Sequence, residues 1–97
     1  MQQKDETAMT TMFARHQVND YAQWRRVYDE LDPTRQRMGV SGQSVYRAAD
    51  NPNEVTITHD FGTLEAAQQF AASDELREAM GKAGVAGEPA IWFADKA

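Results

Sequence analysis

The segment Ser44-Val45-Tyr46-Arg47-Ala48-Ala49, then Asp50-Asn51-Pro52-Asn53, then Glu54-Val55-Thr56-Ile57-Thr58-His59-Asp60-Phe61 decides the fold. Asx side chains that bond their own backbone and a proline of fixed φ make residues 50–53 turn chemistry. The arm after the turn alternates strictly: Val55, Ile57, His59 and Phe61 fall on one side, with Thr56, Thr58 and Asp60 on the other. Residues 44–49 and 54–61 therefore read as two antiparallel strands of a hairpin, with one apolar face.

Upstream, Thr11 to Val18 reads as another strand, with Met12, Ala14, His16 and Val18 on one face and Phe13, Arg15 and Gln17 on the other. Asn19-Asp20 then opens a helix, Asp20 and Gln23 having the spacing of a capping box. Tyr21, Trp24, Val27, Tyr28, Leu31 and Met38 make one apolar stripe at helical spacing. Pro33 lacks an amide hydrogen, so a kink or fresh start is expected there, with Asp32 as the new cap and Gly39 as terminator. Downstream, Thr63 caps a helix carrying Leu64, Ala67, Phe70 and Ala71. Ser73-Asp74-Glu75 restarts it, Leu76 and Met80 extend the stripe, and Gly84 ends it. Pro89 to Ala94 is a short final strand. Residues 1–9 are polar and aperiodic, a mobile tail, so 10–97 form one domain.

Strand, helix, strand, strand, helix, strand is the order of the ferredoxin-like split βαβ fold. That is an α+β domain with a four-stranded, antiparallel-type sheet and two helical regions on one face. In this reading the first and third strands are central, parallel neighbours whose C-terminal ends share an edge. His16 and His59 then lie side by side there, below Trp24 and Tyr28. The other sheet face carries Phe13, Thr56, Thr58 and either Val45 or Tyr46, and is too apolar to stay wet. Back-to-back pairing into a homodimer, a dimeric α+β barrel, would cover it.

Composition narrows the function. The net charge of −5, from 15 acidic and 10 basic residues, opposes binding to nucleic acid or to anionic lipid. With no cysteine, the chain has no disulfide, thiolate nucleophile or thiolate metal site. No apolar run approaches the roughly 20 residues of a bilayer span, and no secretory leader is visible, so the expected location is cytoplasmic. Glycine fingerprints for nucleotides are absent, as is a serine on a strand-to-helix elbow.

The order and length of the elements, the junction His16-Gln17-Val18-Asn19-Asp20-Tyr21 with Trp24-Arg25, the hairpin Val45-Tyr46-Arg47 to Asn53-Glu54-Val55, and the ending Leu76-Arg77-Glu78-Ala79-Met80 to Gly84-Val85 carry a resemblance. Over roughly residues 11–95 the chain resembles the dimeric α+β barrel superfamily: antibiotic biosynthesis monooxygenases, stress-responsive barrel proteins and polyketide cyclases. The resemblance implies a pocket between sheet and helices for an aromatic polyketide, with no metal or flavin in the monooxygenases and acid–base chemistry by a histidine and a tyrosine in the cyclases. The helical histidine of the haem-degrading members has no counterpart here.

Each candidate also has a plainer reading. An inward histidine on an apolar strand is first a core residue, and Trp24 and Tyr28 on a helical stripe are first core aromatics. Two imidazoles at one sheet edge would depress each other's pKa, so that one serves as base toward a phenol or enol while the other donates to the oxyanion. Two histidines with a carboxylate could also hold iron or zinc, but Asp60 points to the opposite face from His59. The expectation is cofactor-independent oxygenation or cyclisation-type chemistry on a flat aromatic molecule. His16, His59 and Tyr28 would be catalytic, with Trp24, Phe61 and Phe70 binding the substrate. The alternative is a non-catalytic ligand-binding or stress-associated dimeric barrel.

Overall fold

The structure, a computed structural model, describes residues 9–97. Most of the segment expected to be a mobile tail, residues 1–8, lies outside the described residues. Four strands, β1 (Thr10–Val18), β2 (Gly42–Ala48), β3 (Asn51–Phe61) and β4 (Val85–Asp95), form one sheet in the order β2-β3-β1-β4. Four helices connect them: α1 (Tyr21–Glu30), α2 (Asp32–Arg37), α3 (Leu64–Ala71) and α4 (Asp74–Lys82). The α+β, ferredoxin-like architecture is the one expected, each helical region being split in two.

Local chemistry sets the helix ends. The carboxylate of Asp20 accepts from the Ala22 amide (3.2 Å), the Thr63 hydroxyl from Ala66 (3.1 Å) and the Ser73 hydroxyl from Leu76 (3.2 Å). Gln23 completes no capping box. Its amide instead donates to the carbonyl of Lys82 at the end of α4 (3.0 Å), tying the two helices together. Asp32 is not a cap either: it stands in the first turn of α2, where its carboxylate accepts from Arg35 and Gln36. Gly39 and Gly84, at φ of +100° and +76°, take the left-handed backbone that ends the helical regions.

Strand direction departs from expectation. β1 and β3 are central neighbours but antiparallel, Met12 standing opposite His59 and His16 opposite Val55. The hairpin is the cause. The crossover through α1 and α2 makes β2 run parallel to β1, and the turn at Ala49-Asp50 reverses the chain, so β3 must oppose β1. β4 is also longer than residues 89–94. It absorbs Gly87 (φ +73°) and Pro89 in a bulge opposite His16, where the pairing jumps from Arg15–Ala90 to Gln17–Ala86.

The alternating pattern is realised on both central strands. Met12, Ala14, His16 and Val18 of β1 and Val55, Ile57, His59 and Phe61 of β3 are all buried beneath the helices. Trp24, Tyr28, Ala67, Phe70, Leu76 and Ala83 close the core from above. On the opposite face Trp92 stacks on Phe13 (ring centroids 5.4 Å apart), and Tyr46 and Trp92 are exposed. Tyr46 therefore takes the open face, and Val45 lies on the helix side.

Candidate functional site

The inward row of the sheet and the stripe of α1 enclose a cavity beneath α1 and α4. Met12, Ala14, His16, Ile57, His59 and Ile91 form its floor, and Trp24, Val27, Tyr28, Leu31, Leu76, Ala79, Met80 and Ala83 form its roof. Arg35 of α2 completes the lining. The non-atom space, mouth included, is about 470 Å³. The cavity forms a slot between the sheet and the two helices.

His16 and His59 share this cavity but not one edge of the sheet. His16 opposes Val55, four positions before His59, and at the rise of a strand that separation is roughly 13 Å. The expected side-by-side pair is corrected to one imidazole at each end, because β3 runs against β1. Trp24 and Tyr28 of α1, one helical turn apart, line the cavity along the stretch between them. A continuous aromatic row results: His16 to Trp24 at 5.9 Å, Trp24 to Tyr28 at 4.9 Å and Tyr28 to His59 at 6.3 Å between centroids.

Phe61 and Phe70, expected to contact substrate, lie outside the lining. Both are fully buried, and Phe70 sets its ring edge against His59 at 5.2 Å while packing on Phe61 at 5.7 Å. Docking α3 onto the end of the sheet consumes these rings, which hold His59 in place instead. Asp60 turns to the open face and accepts from the Thr11 hydroxyl at 2.7 Å. Among the described residues no three histidine, cysteine or acidic side chains stand close enough to hold a metal ion together.

Five polar atoms of the row are buried and unpaired among the described residues. Both ring nitrogens of His16, both of His59 and the hydroxyl of Tyr28 have no hydrogen-bond partner among the described residues. Tyr28, expected to find its partner on an imidazole, does not. Unpaired polar groups in an apolar setting are costly, which marks these five atoms as places where a ligand's oxygens would be welcome.

Burial determines the charge state of these groups. It lowers the pKa of both histidines; for His59, with the positive field of Arg35 added and Asp60 opposing, the value falls to about 4. His59 is therefore a neutral imidazole near pH 7. Burial raises the Tyr28 phenol, the Arg35 and Arg25 guanidinium groups partly offsetting the shift.

Arg35 is the residue that sequence reasoning missed. The residue is 1% exposed. The guanidinium lies 3.9 Å from the centre of the Tyr28 ring, and donates from Nη1 to the Tyr28 carbonyl (2.8 Å), from Nε to Gln43 (2.9 Å) and from Nη2 to Asp32 (3.2 Å). The available signal was its position, four residues after Leu31 and seven after Tyr28, where a cation interrupts an otherwise apolar stripe.

No family model matches the sequence, and no curated protein matches it significantly. Solved structures do match. A Bordetella bronchiseptica protein classed provisionally as an antibiotic biosynthesis monooxygenase superposes with a TM-score of 0.81 at 20% identity, covering 93% of this chain and 98% of its own. A conserved Methanosarcina mazei protein gives 0.75 at 17% identity, over 94% and 95%. A variant of SnoaB, a cofactor-independent oxygenase from Streptomyces nogalater, gives 0.69 at 17%, over 89% and 92%. At these identities the likeness is one of architecture: the chain has the fold of the antibiotic biosynthesis monooxygenase-like proteins.

Proposed function

We propose that this protein is a cytoplasmic enzyme that binds a flat, oxygen-bearing aromatic or polyketide-like molecule in the slot between His16 and His59. There it carries out cofactor-independent oxygenation. The observation that supports the reading most is the set of five unpaired, buried polar atoms strung along an aromatic row in an otherwise apolar cavity. Trp24 would stack on the ligand, and His16, His59 and Tyr28 would hydrogen-bond its oxygens at either end. The neutral His59 accepts a hydrogen bond from a phenol or enol and so favours the electron-rich form that reacts with oxygen. For a hydroxyanthrone the ring carbon releases a proton, dioxygen adds there as a hydroperoxide, and loss of water leaves a carbonyl. One O₂ is consumed for each quinone and water formed.

Oxygen-electrode traces with 1,8-dihydroxyanthrone test the proposal. Uptake well above the uncatalysed rate is expected, falling by about a hundredfold or more in His59→Asn, the lower end of what general acid–base groups usually contribute. A rate equal to buffer alone would reject oxygenation of this class.

One observation favours a second reading, a binding module without turnover. With a pKa near 4, His59 is a weak base at neutral pH, and the two imidazoles stand too far apart to relay a proton directly. Tight binding of the same anthrone without oxygen uptake would select it.

The open sheet face belongs to this proposal as the contact of a homodimer. The Phe13–Trp92 stack, Tyr46 and the alternating threonines of β3 would meet the same surface of a second copy.

A further inference from the structure

Among the described residues Arg35 is the one charged side chain that lines the cavity, in a chain whose net charge is −5. Its role at the end of α1 explains part of its placement: Nη1 caps the Tyr28 carbonyl, Nε is held by Gln43 and Nη2 by Asp32. A guanidinium carries five N–H groups, so two remain without a partner among the described residues. Its counter-ion also compensates incompletely. The Asp32 side chain is 43% exposed, against 2% for Arg35, so water screens the carboxylate far more than the cation. After burial, Arg35 is the next influence on the His59 ring, and only Asp60 opposes it. At Tyr28, Arg35 and Arg25 likewise precede Asp32 and Asp29. Among the described residues the lining thus carries a buried cation at its α2 end and no charged side chain at its His16 end.

From this asymmetry we infer that the α2 end is an anion subsite, taking the ionised oxygen of an aromatic acid, a carboxylate or phenolate, on Arg35 with the Tyr28 hydroxyl as a neighbouring donor. The inference rests on the cavity being the ligand site, and it deepens that reading by fixing the ligand's charge and direction. The acidic group faces Arg35 and the uncharged rings extend along Trp24 toward His16. Guanidinium and carboxylate match in shape as well as charge, and charge-assisted hydrogen bonds are about twice as strong as neutral ones.

The test is a calorimetric comparison of 2-naphthoate with its uncharged counterpart 2-naphthamide on the intact chain. The wild type is expected to bind the acid about tenfold tighter or more, a ratio that one charge-assisted contact supplies. Asp32→Asn removes the competing carboxylate from an exposed position and should widen the preference about threefold. Arg35→Met should bring that ratio close to one. Equal binding of both probes by the wild type, or an unchanged ratio in Asp32→Asn, overturns the anion subsite and leaves the cavity reading standing. The Asp32→Asn arm decides even if Arg35→Met fails to fold. Failure of both probes to bind would overturn the cavity reading and the subsite with it.

Discussion

His59 is held by what lies around it rather than by hydrogen bonds. Phe70 meets it edge-on, Tyr28 lies roughly parallel to it, and neither ring nitrogen is paired among the described residues. Such burial penalises the imidazolium, and this has a measurable consequence for stability. The folded-state pKa near 4 lies below the usual 6.5, so between these values the unfolded chain binds the extra proton. The stabilisation is complete above pH 6.5 and is lost as pH falls toward 4. From pH 7 to 5 the loss attributable to His59 is about 2 kcal/mol, at roughly 1.4 kcal/mol per pKa unit. Urea denaturation of the wild type and His59→Gln at both pH values should show the variant losing about that much less. His16, lowered in the same direction by burial, contributes in both proteins and cancels. Equal losses would mean that His59 is not held as a buried neutral ring.

At the scale of elements, the hairpin controls the site. It reverses β3 against β1 and thereby places the two histidines at opposite ends of the slot. One and the same alternation sends Val55, Ile57, His59 and Phe61 inward and leaves Thr56, Thr58 and, from β2, Tyr46 outward. The outward face carries exposed aromatic surface on a sheet with helices on only one side. Analytical ultracentrifugation should find the wild type a dimer. Trp92→Glu, which puts a charge beside Phe13 on that face, should be a monomer with unchanged far-UV circular dichroism. A monomeric wild type at tens of micromolar would contradict pairing through this face.

At the scale of the whole molecule, the parts legible in the sequence were those that local chemistry decides. Alternation in residues 11–18 and 54–61, the hydroxyl caps Thr63 and Ser73, and the glycines 39 and 84 each act within a few residues, and the structure follows them. Strand order followed as well, since few connections of this length are possible. What the sequence obscured depends on pairs distant along the chain. The direction of β3 relative to β1 set the distance between the histidines, and the bulge that hides Gly87 and Pro89 within β4 exists only against β1. Phe61 and Phe70 lie on inward rows with the same periodicity as the cavity residues, so no local signal separates packing from lining. Arg35 becomes interpretable only when α2 folds over the end of α1.

The central claim is that one molecule occupies the slot from His16 to His59. The direct measurement is a ¹³C NMR titration of the two imidazoles and the Trp92 indole with 2-naphthol. If the account holds, the Cε1 signals of His16 and His59 shift with a common binding curve while Trp92, on the opposite face, stays fixed. Movement of Trp92 alone, or of neither histidine at saturation, would contradict it.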